Sequence, residues 1–295
     1  MKLSIFFAVF LFSLFQKCGL SAAQTESVPH LMEIQDTLKE EPLNPGYIHA
    51  KGMDIAHRFL LPPAYERVVV TPNSFGAYLR TLPLKPDGSE VLYHDGTVKP
   101  NYGGYIAVVD MPIGYRDLQQ CADAVMRLRA EYLYAQQRYE DIHFNFSNGF
   151  RASYSKWRAG NRIRVSGNTV TWRAAQAEST SYESFLKYLD MVFAYAGTAS
   201  LEQELEAVEW EDLQIGDVFI QGGYPGHAQI VVDMARHVET GEKIFLLAQS
   251  FMPAQEIHVL TNLQGQNTGP WYKSAFEGEL STPSWTFYKH NLKRF

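Results

Sequence analysis

Cysteine is nearly absent from this chain: only Cys18 and Cys121 occur. The first falls in a segment that reads as a leader, so a disulfide framework is excluded. His143, His237, His258 and His290 show no spacing that would gather a metal ion, and without a second cysteine a zinc site is not expected. No cofactor motif appears. Blocks of Lys and Arg are lacking too. With 26 basic against 32 acidic side chains the net charge is -6, which removes nucleic acid from the expected partners. No internal repeat and no low-complexity linker is visible. After the first residues no apolar run is long enough to cross a bilayer, so no transmembrane span is expected.

Apolar residues make up 46% of the chain and aromatic residues 14%, a globular composition able to build a sizeable core. The start is of another kind. "MKLSIFFAVFLFSLF" places Lys2 before an apolar run, and "GLSAAQ" supplies Ser21 and Ala23 as small residues. Residues 1–23 read as a signal peptide cut before Gln24. Gln16 and Lys17 stand where a lipobox needs small residues, so lipid anchoring at Cys18 is not expected. The protein is therefore expected to be exported, periplasmic or extracellular.

Residues 24–50 are polar and broken by proline, and read as loosely ordered. Residues 51–295 read as a single α+β domain with an insertion at about 141–175. "EVLYHDGTVK" reads as a hairpin at Asp95-Gly96, and "YIAVVDM" as a buried strand. Across residues 115–137, Leu118, Cys121, Ala122, Val125, Leu128, Tyr132 and Leu133 recur at helical spacing, with Asp117 as a candidate N-cap or first-turn acid. "SYESFLKYLDMVFAYAG" repeats the pattern through Phe185, Leu189, Val192, Phe193 and Ala196. "TASLEQELEAV" follows as a short helix with a capping box from Ser200 to Gln203. The last third turns to strands: "GDVFIQ", "HAQIVVDMA", "KIFLLAQS" and "EIHVLTN", with a Gly241 turn that predicts an antiparallel meander. Helices first and antiparallel strands after is the α+β pattern.

That meander gives His227 company. If strands 227–235 and 243–250 pair through the 236–242 turn, the start of one lies beside the end of the other, and His227 and Gln249 become neighbours. Cys121, near a helix start, completes the set that thiol hydrolysis needs: a nucleophile, a base and a polar group that orients the base. Beside a helix N-terminus and an imidazole, such a thiol is expected to have a depressed pKa. Cys121 has a second reading, as a core residue on the face shared with Val125 and Leu128.

The order of these elements resembles that of the NlpC-type cell-wall cysteine peptidases over residues 117–250. "Gly216-Asp217-Val218-Phe219" is similar to that family's Gly-Asp strand, and His227 before "AQIVVD" to its histidine strand. The resemblance implies a papain-like core, helices followed by an antiparallel sheet. It also implies Cys121 as nucleophile, His227 as base and Gln249 as the orienting residue, acting on peptidoglycan-type peptides. Cys121 lies here between Gln120 and Ala122, where that family usually has an acid before and Ser-Gly after. The mature chain as a whole resembles a secreted bacterial family known as a domain of unknown function. Two functions follow as expectations. One is a monomeric cell-envelope thiol peptidase or amidase with cell-wall peptide or glycan as partner. The other is a non-catalytic envelope binding protein on the same scaffold.

Overall fold

The computed structural model describes residues 46–295 apart from Gln266 and Glu277. The expected leader, residues 1–23, lies outside the described residues, as does most of the polar segment that follows it.

The first helices are set by their caps. Ile55–Arg58 (α1) starts where the Asp54 carboxylate accepts from the His57 N–H at 2.9 Å. Tyr65–Arg67 (β1) follows. Phe75–Arg80 (α2) starts at Ser74, whose hydroxyl accepts from the Ala77 N–H at 3.2 Å. Tyr105–Val108 (β2) is the buried strand expected from its apolar run, and the 95–96 turn before it carries Gly96 at φ +83°.

Cys121–Ala135 (α3) is the long helix of the first half. It begins later than the sequence suggested. Gln120 is the N-cap, and its N–H donates to the Asp123 carboxylate at 3.0 Å. Asp117, the expected cap, accepts instead from the Ala254 N–H at 2.7 Å and the Gln120 amide at 3.2 Å. This late start makes Cys121 the first residue of the helix. Buried residues surround nearly the whole helix, as befits one packed on more than one side.

The expected insertion holds two hairpins around a short helix: His143–Asn145 (β3) with Arg151–Ser153 (β4), then Tyr154–Arg158 (α4), then Asn161–Ser166 (β5) with Thr169–Ala174 (β6). Tyr182–Tyr195 (α5) buries Phe185, Leu189, Val192 and Phe193 as expected, and Tyr188 with them. Thr198–Glu204 (α6) starts from Gly197. Ser200 is its third residue rather than its cap, and the Ser200 hydroxyl accepts from the Gly197 N–H at 3.1 Å.

The remaining elements are strands: Glu206–Ala207 (β7), Val218–Gln221 (β8), His227–His237 (β9), Lys243–Gln249 (β10), His258–Leu260 (β11), Tyr272–Lys273 (β12), Glu279–Ser281 (β13), Thr286–Tyr288 (β14) and Leu292–Arg294 (β15). Among the described residues nine strands form one antiparallel sheet in the order β2-β11-β10-β9-β8-β15-β7, with β1 added to β9 and β12 to β10. The meander from β8 to β11 matches the sequence expectation, and Gly241 turns the chain between β9 and β10 at φ +74°. The fold is thus α+β.

Side chains alternate faces along a strand, so the unbroken burial of His227 through Ala235 requires cover on both faces of β9. The helix α3 packs on this strand. Its one buried acid, Asp233, is matched by two guanidinium groups, Arg67 Nε at 2.7 Å and Arg80 Nε at 2.7 Å. Among the described residues no helix is long and apolar enough to cross a membrane.

Candidate functional site

Three segments converge at one end of the sheet: the start of α3, the start of β9 and the end of β10. Cys121 lies at the first position of α3, where backbone N–H groups have no intrahelical acceptor. It is 8% exposed and counts among the buried apolar residues along with Val125 and Leu128. The residue borders a cleft of about 550 Å³. Phe193, Gly197, Tyr224, Gly226 and Met252 are among its other walls. Tyr224 at the rim is 97% exposed.

The backbone N–H of Ala228, the residue after His227, works to lower the Cys121 pKa. So do the N–H groups of Ala122 and Cys121. Burial outweighs all of these and pushes the thiol up to about 11, with the nearby Asp123 carboxyl adding to the rise. The depressed pKa expected from the helix N-terminus is therefore corrected: desolvation is the larger effect. Asp123, buried two residues further on, is itself raised to about 8 by desolvation, and its Oδ1 has no hydrogen-bond partner.

His227 opens β9 and is 1% exposed. Its Nε2 meets the Gln249 side-chain oxygen at 2.7 Å, so the two residues are neighbours, as the antiparallel pairing implied, and share a face. An amide oxygen only accepts, so the His227 Nε2 carries the hydrogen and a neutral ring keeps its lone pair on Nδ1. Burial lowers the His227 pKa to about 4, against the opposing effect of the Gln249 bond. Aromatic rings enclose the imidazole: Phe251 edge-on at 4.9 Å, Trp285 at 5.4 Å and Phe287 stacked at 6.1 Å.

Gln249 is the hub. Its oxygen accepts from Gln229 Nε2 at 2.9 Å as well as from His227. Its NH2 donates to the Ser284 hydroxyl at 2.8 Å and meets His258 Nε2 at 3.3 Å. Sequence reasoning missed Gln229, His258, Thr282, Ser284 and Trp285. Gln229 was within reach, because a residue two places from His227 on a strand shares its face. The β13–β14 hairpin offered no such signal, since nothing local ties residues 282–285 to His227.

Asp217 lies outside this group. Its carboxylate accepts from the Gln214 N–H at 2.8 Å and from Arg294 Nε at 2.6 Å, fixing the turn into β8 as expected. Among the described residues no group of three or more His, Cys, Asp and Glu side chains is placed to hold a metal ion.

A family described as Domain of unknown function (4846) matches residues 55–294, from the first helix to the last strand. The chain belongs to this family. The match takes in the whole constellation, with Cys121, His227 and Gln249 all inside it. No curated protein and no solved structure matches the chain.

Proposed function

We propose that this protein is an exported thiol hydrolase that cleaves an amide in cell-envelope peptides of the peptidoglycan type, on a papain-like scaffold of the NlpC kind. The observation that carries the reading is the hydrogen bond from His227 Nε2 to Gln249 Oε1. It leaves the opposite ring nitrogen free as a base, and the N–H of the next residue, Ala228, acts to lower the pKa of Cys121, which borders the cleft at a helix N-terminus.

The chemistry runs through two acyl transfers. The Cys121 sulfur attacks the amide carbon while its proton passes to His227 Nδ1. The Cys121 N–H, without an intrahelical acceptor, stabilises the oxygen that gains charge. The C–N bond then breaks, His227 returns the proton to the departing amine, and a thioester remains. Water attacks the thioester, giving its proton to His227. The acid leaves and the thiol is restored. Gln249 holds the imidazolium's far N–H throughout. Burial keeps thiol and imidazole neutral in the free protein, so proton transfer belongs to the attack itself.

The second reading is a non-catalytic envelope protein that binds peptide or glycan in the same cleft. The observation on its side is the separation of the two pKa values, to about 11 and about 4, the reverse of what a standing thiolate-imidazolium pair requires.

Synthetic stem peptides incubated with the protein lacking residues 1–23 distinguish the two. Hydrolysis predicts new amino groups in the wild type and background levels in Cys121→Ala and His227→Ala. Binding to the peptide by calorimetry with no release in the wild type, or release that persists in Cys121→Ala, overturns the hydrolase.

A further inference from the structure

We infer that His258 and Gln229 are positioning residues: together they clamp the Gln249 amide in one orientation, and through it hold the hydrogen of His227 on Nε2. The consequence for rate rests on the hydrolase reading; the clamp itself does not.

Two backbone carbonyls, which only accept, anchor the arrangement. The first is that of Glu256. It lies 2.8 Å from His258 Nδ1, so Nδ1 must carry the hydrogen and the neutral His258 ring presents a lone pair at Nε2. That lone pair faces the Gln249 side chain at 3.3 Å and accepts only from its NH2. The second carbonyl is that of Trp285. It accepts from the Thr282 hydroxyl at 2.7 Å, which leaves the Thr282 oxygen to accept from Gln229 Nε2 at 2.9 Å. The same Gln229 NH2 then reaches Gln249 Oε1 at 2.9 Å, a position that tolerates only an acceptor.

The two chains of constraint meet on Gln249 from opposite ends and agree. Turning its amide over would set an oxygen against the lone pair of His258 and an NH2 against the NH2 of Gln229. All four side chains involved, His227, Gln229, Gln249 and His258, are buried, so water offers no easy relief for either mismatch. With Oε1 held toward β9, His227 Nε2 can only donate. The register supports this layout: Gln249 pairs directly with His258 across β10 and β11.

A mere packing role for His258 and Gln229 would not govern where a neighbour's proton sits. The ring nitrogens of histidine report that directly, because protonated and unprotonated nitrogens give well-separated ¹⁵N resonances. The experiment is long-range ¹H–¹⁵N correlation of the full-length mature protein labelled at histidine, near neutral pH and without substrate. The expected result is His227 in the Nε2–H form and His258 in the Nδ1–H form. The double substitution Gln229→Leu/His258→Phe is expected to lose the single form, with both His227 nitrogens moving to intermediate shifts. His258→Gln, whose side-chain oxygen can accept from Gln249, is expected to restore the wild-type pattern. In the hydrolase assay the double variant should lose roughly 10²-fold or more in kcat with KM little changed. A wild-type His227 protonated on Nδ1 overturns the clamp, whether or not any variant folds. So does a folded double variant that keeps the Nε2–H form. Because the spectra need no turnover, a failed peptidase assay leaves this inference standing, and a failed clamp leaves the peptidase assay to be judged alone.

Discussion

His227 and Gln249 lie on adjacent antiparallel strands, 22 residues apart in the chain, with 2.7 Å between the imidazole Nε2 and the amide oxygen. The bond favours the charged ring, so it partly offsets the burial that holds the His227 pKa at about 4. Gln249→Leu removes the acceptor and should move the His227 titration lower still. An NMR pH titration of the ring checks this, and an unchanged or higher midpoint would contradict it.

Thiol reactivity should follow the burial of Cys121. With its pKa pushed up to about 11, the native thiol at neutral pH is expected to alkylate with iodoacetamide roughly 10²-fold more slowly than in denaturant. The native rate should climb with pH toward that value. Mass spectrometry of the Cys121 peptide follows both. Fast native alkylation near pH 7 would show that a thiolate is already present.

Asp123 links the site to stability. Its folded pKa is raised to about 8, above the 3.8 of an unperturbed aspartate. Between those values the unfolded chain has released a proton that the folded one retains, so this group makes stability fall as pH rises from about 4 to about 8. Asp123→Asn removes that dependence. Urea unfolding across the range should show the variant gaining on the wild type with each step in pH, and a constant difference would count against the raised pKa.

Gly226 leads into His227 through a tight passage. A Cβ there would stand 2.5 Å from the Gly223 carbonyl oxygen and 2.5 Å from the Thr198 hydroxyl. Gly226→Ala must displace the loop between β8 and β9 and should cost about 1–3 kcal/mol. Gly46→Ala, with nothing within 4 Å, is the matched control. Equal midpoints in chemical denaturation for the two variants would refute the steric account.

Asp233→Ala should cost about 3–5 kcal/mol, because it strands Arg67 and Arg80 beside a buried strand without their shared carboxylate. Thermal and chemical denaturation measure it directly. A loss below about 1 kcal/mol would mean that the two guanidinium groups find other partners.

Much of this was legible from local pattern. Short apolar segments in quick succession and the Gly241 turn gave the meander. Antiparallel geometry brought the start of β9 beside the end of β10, but the face was not legible: a register shift between Leu246 and Leu247 turns Gln249 to the side of His227. The start of α3 was not legible: Asp117 is a good cap by type, but the Ala254 N–H, 137 residues away, claims its carboxylate. The thiol pKa was hidden for a similar reason. A helix N-terminus can be read from sequence, whereas the burial that outweighs it is set by elements drawn from distant parts of the chain. The side chains behind Gln249 from the β13–β14 hairpin escaped because their tie to the site is purely tertiary.

The place of β15 has a consequence for how the molecule comes into being. This strand does not extend a finished sheet; it lies between β8 and β7, and Arg294 on it grips the Asp217 that turns the chain into β8. Just before it in the chain come Thr282, Ser284 and Trp285, which brace the site. A growing chain therefore emerges from the ribosome with Cys121, His227 and Gln249 already made, yet β8 has an open edge and Gln249 lacks its support from the hairpin. Until residues 279–294 follow, that edge is free to pair with another nascent chain. The brace behind Gln249 and the cover for the edge of β8 thus come from one stretch of chain, residues 279–294.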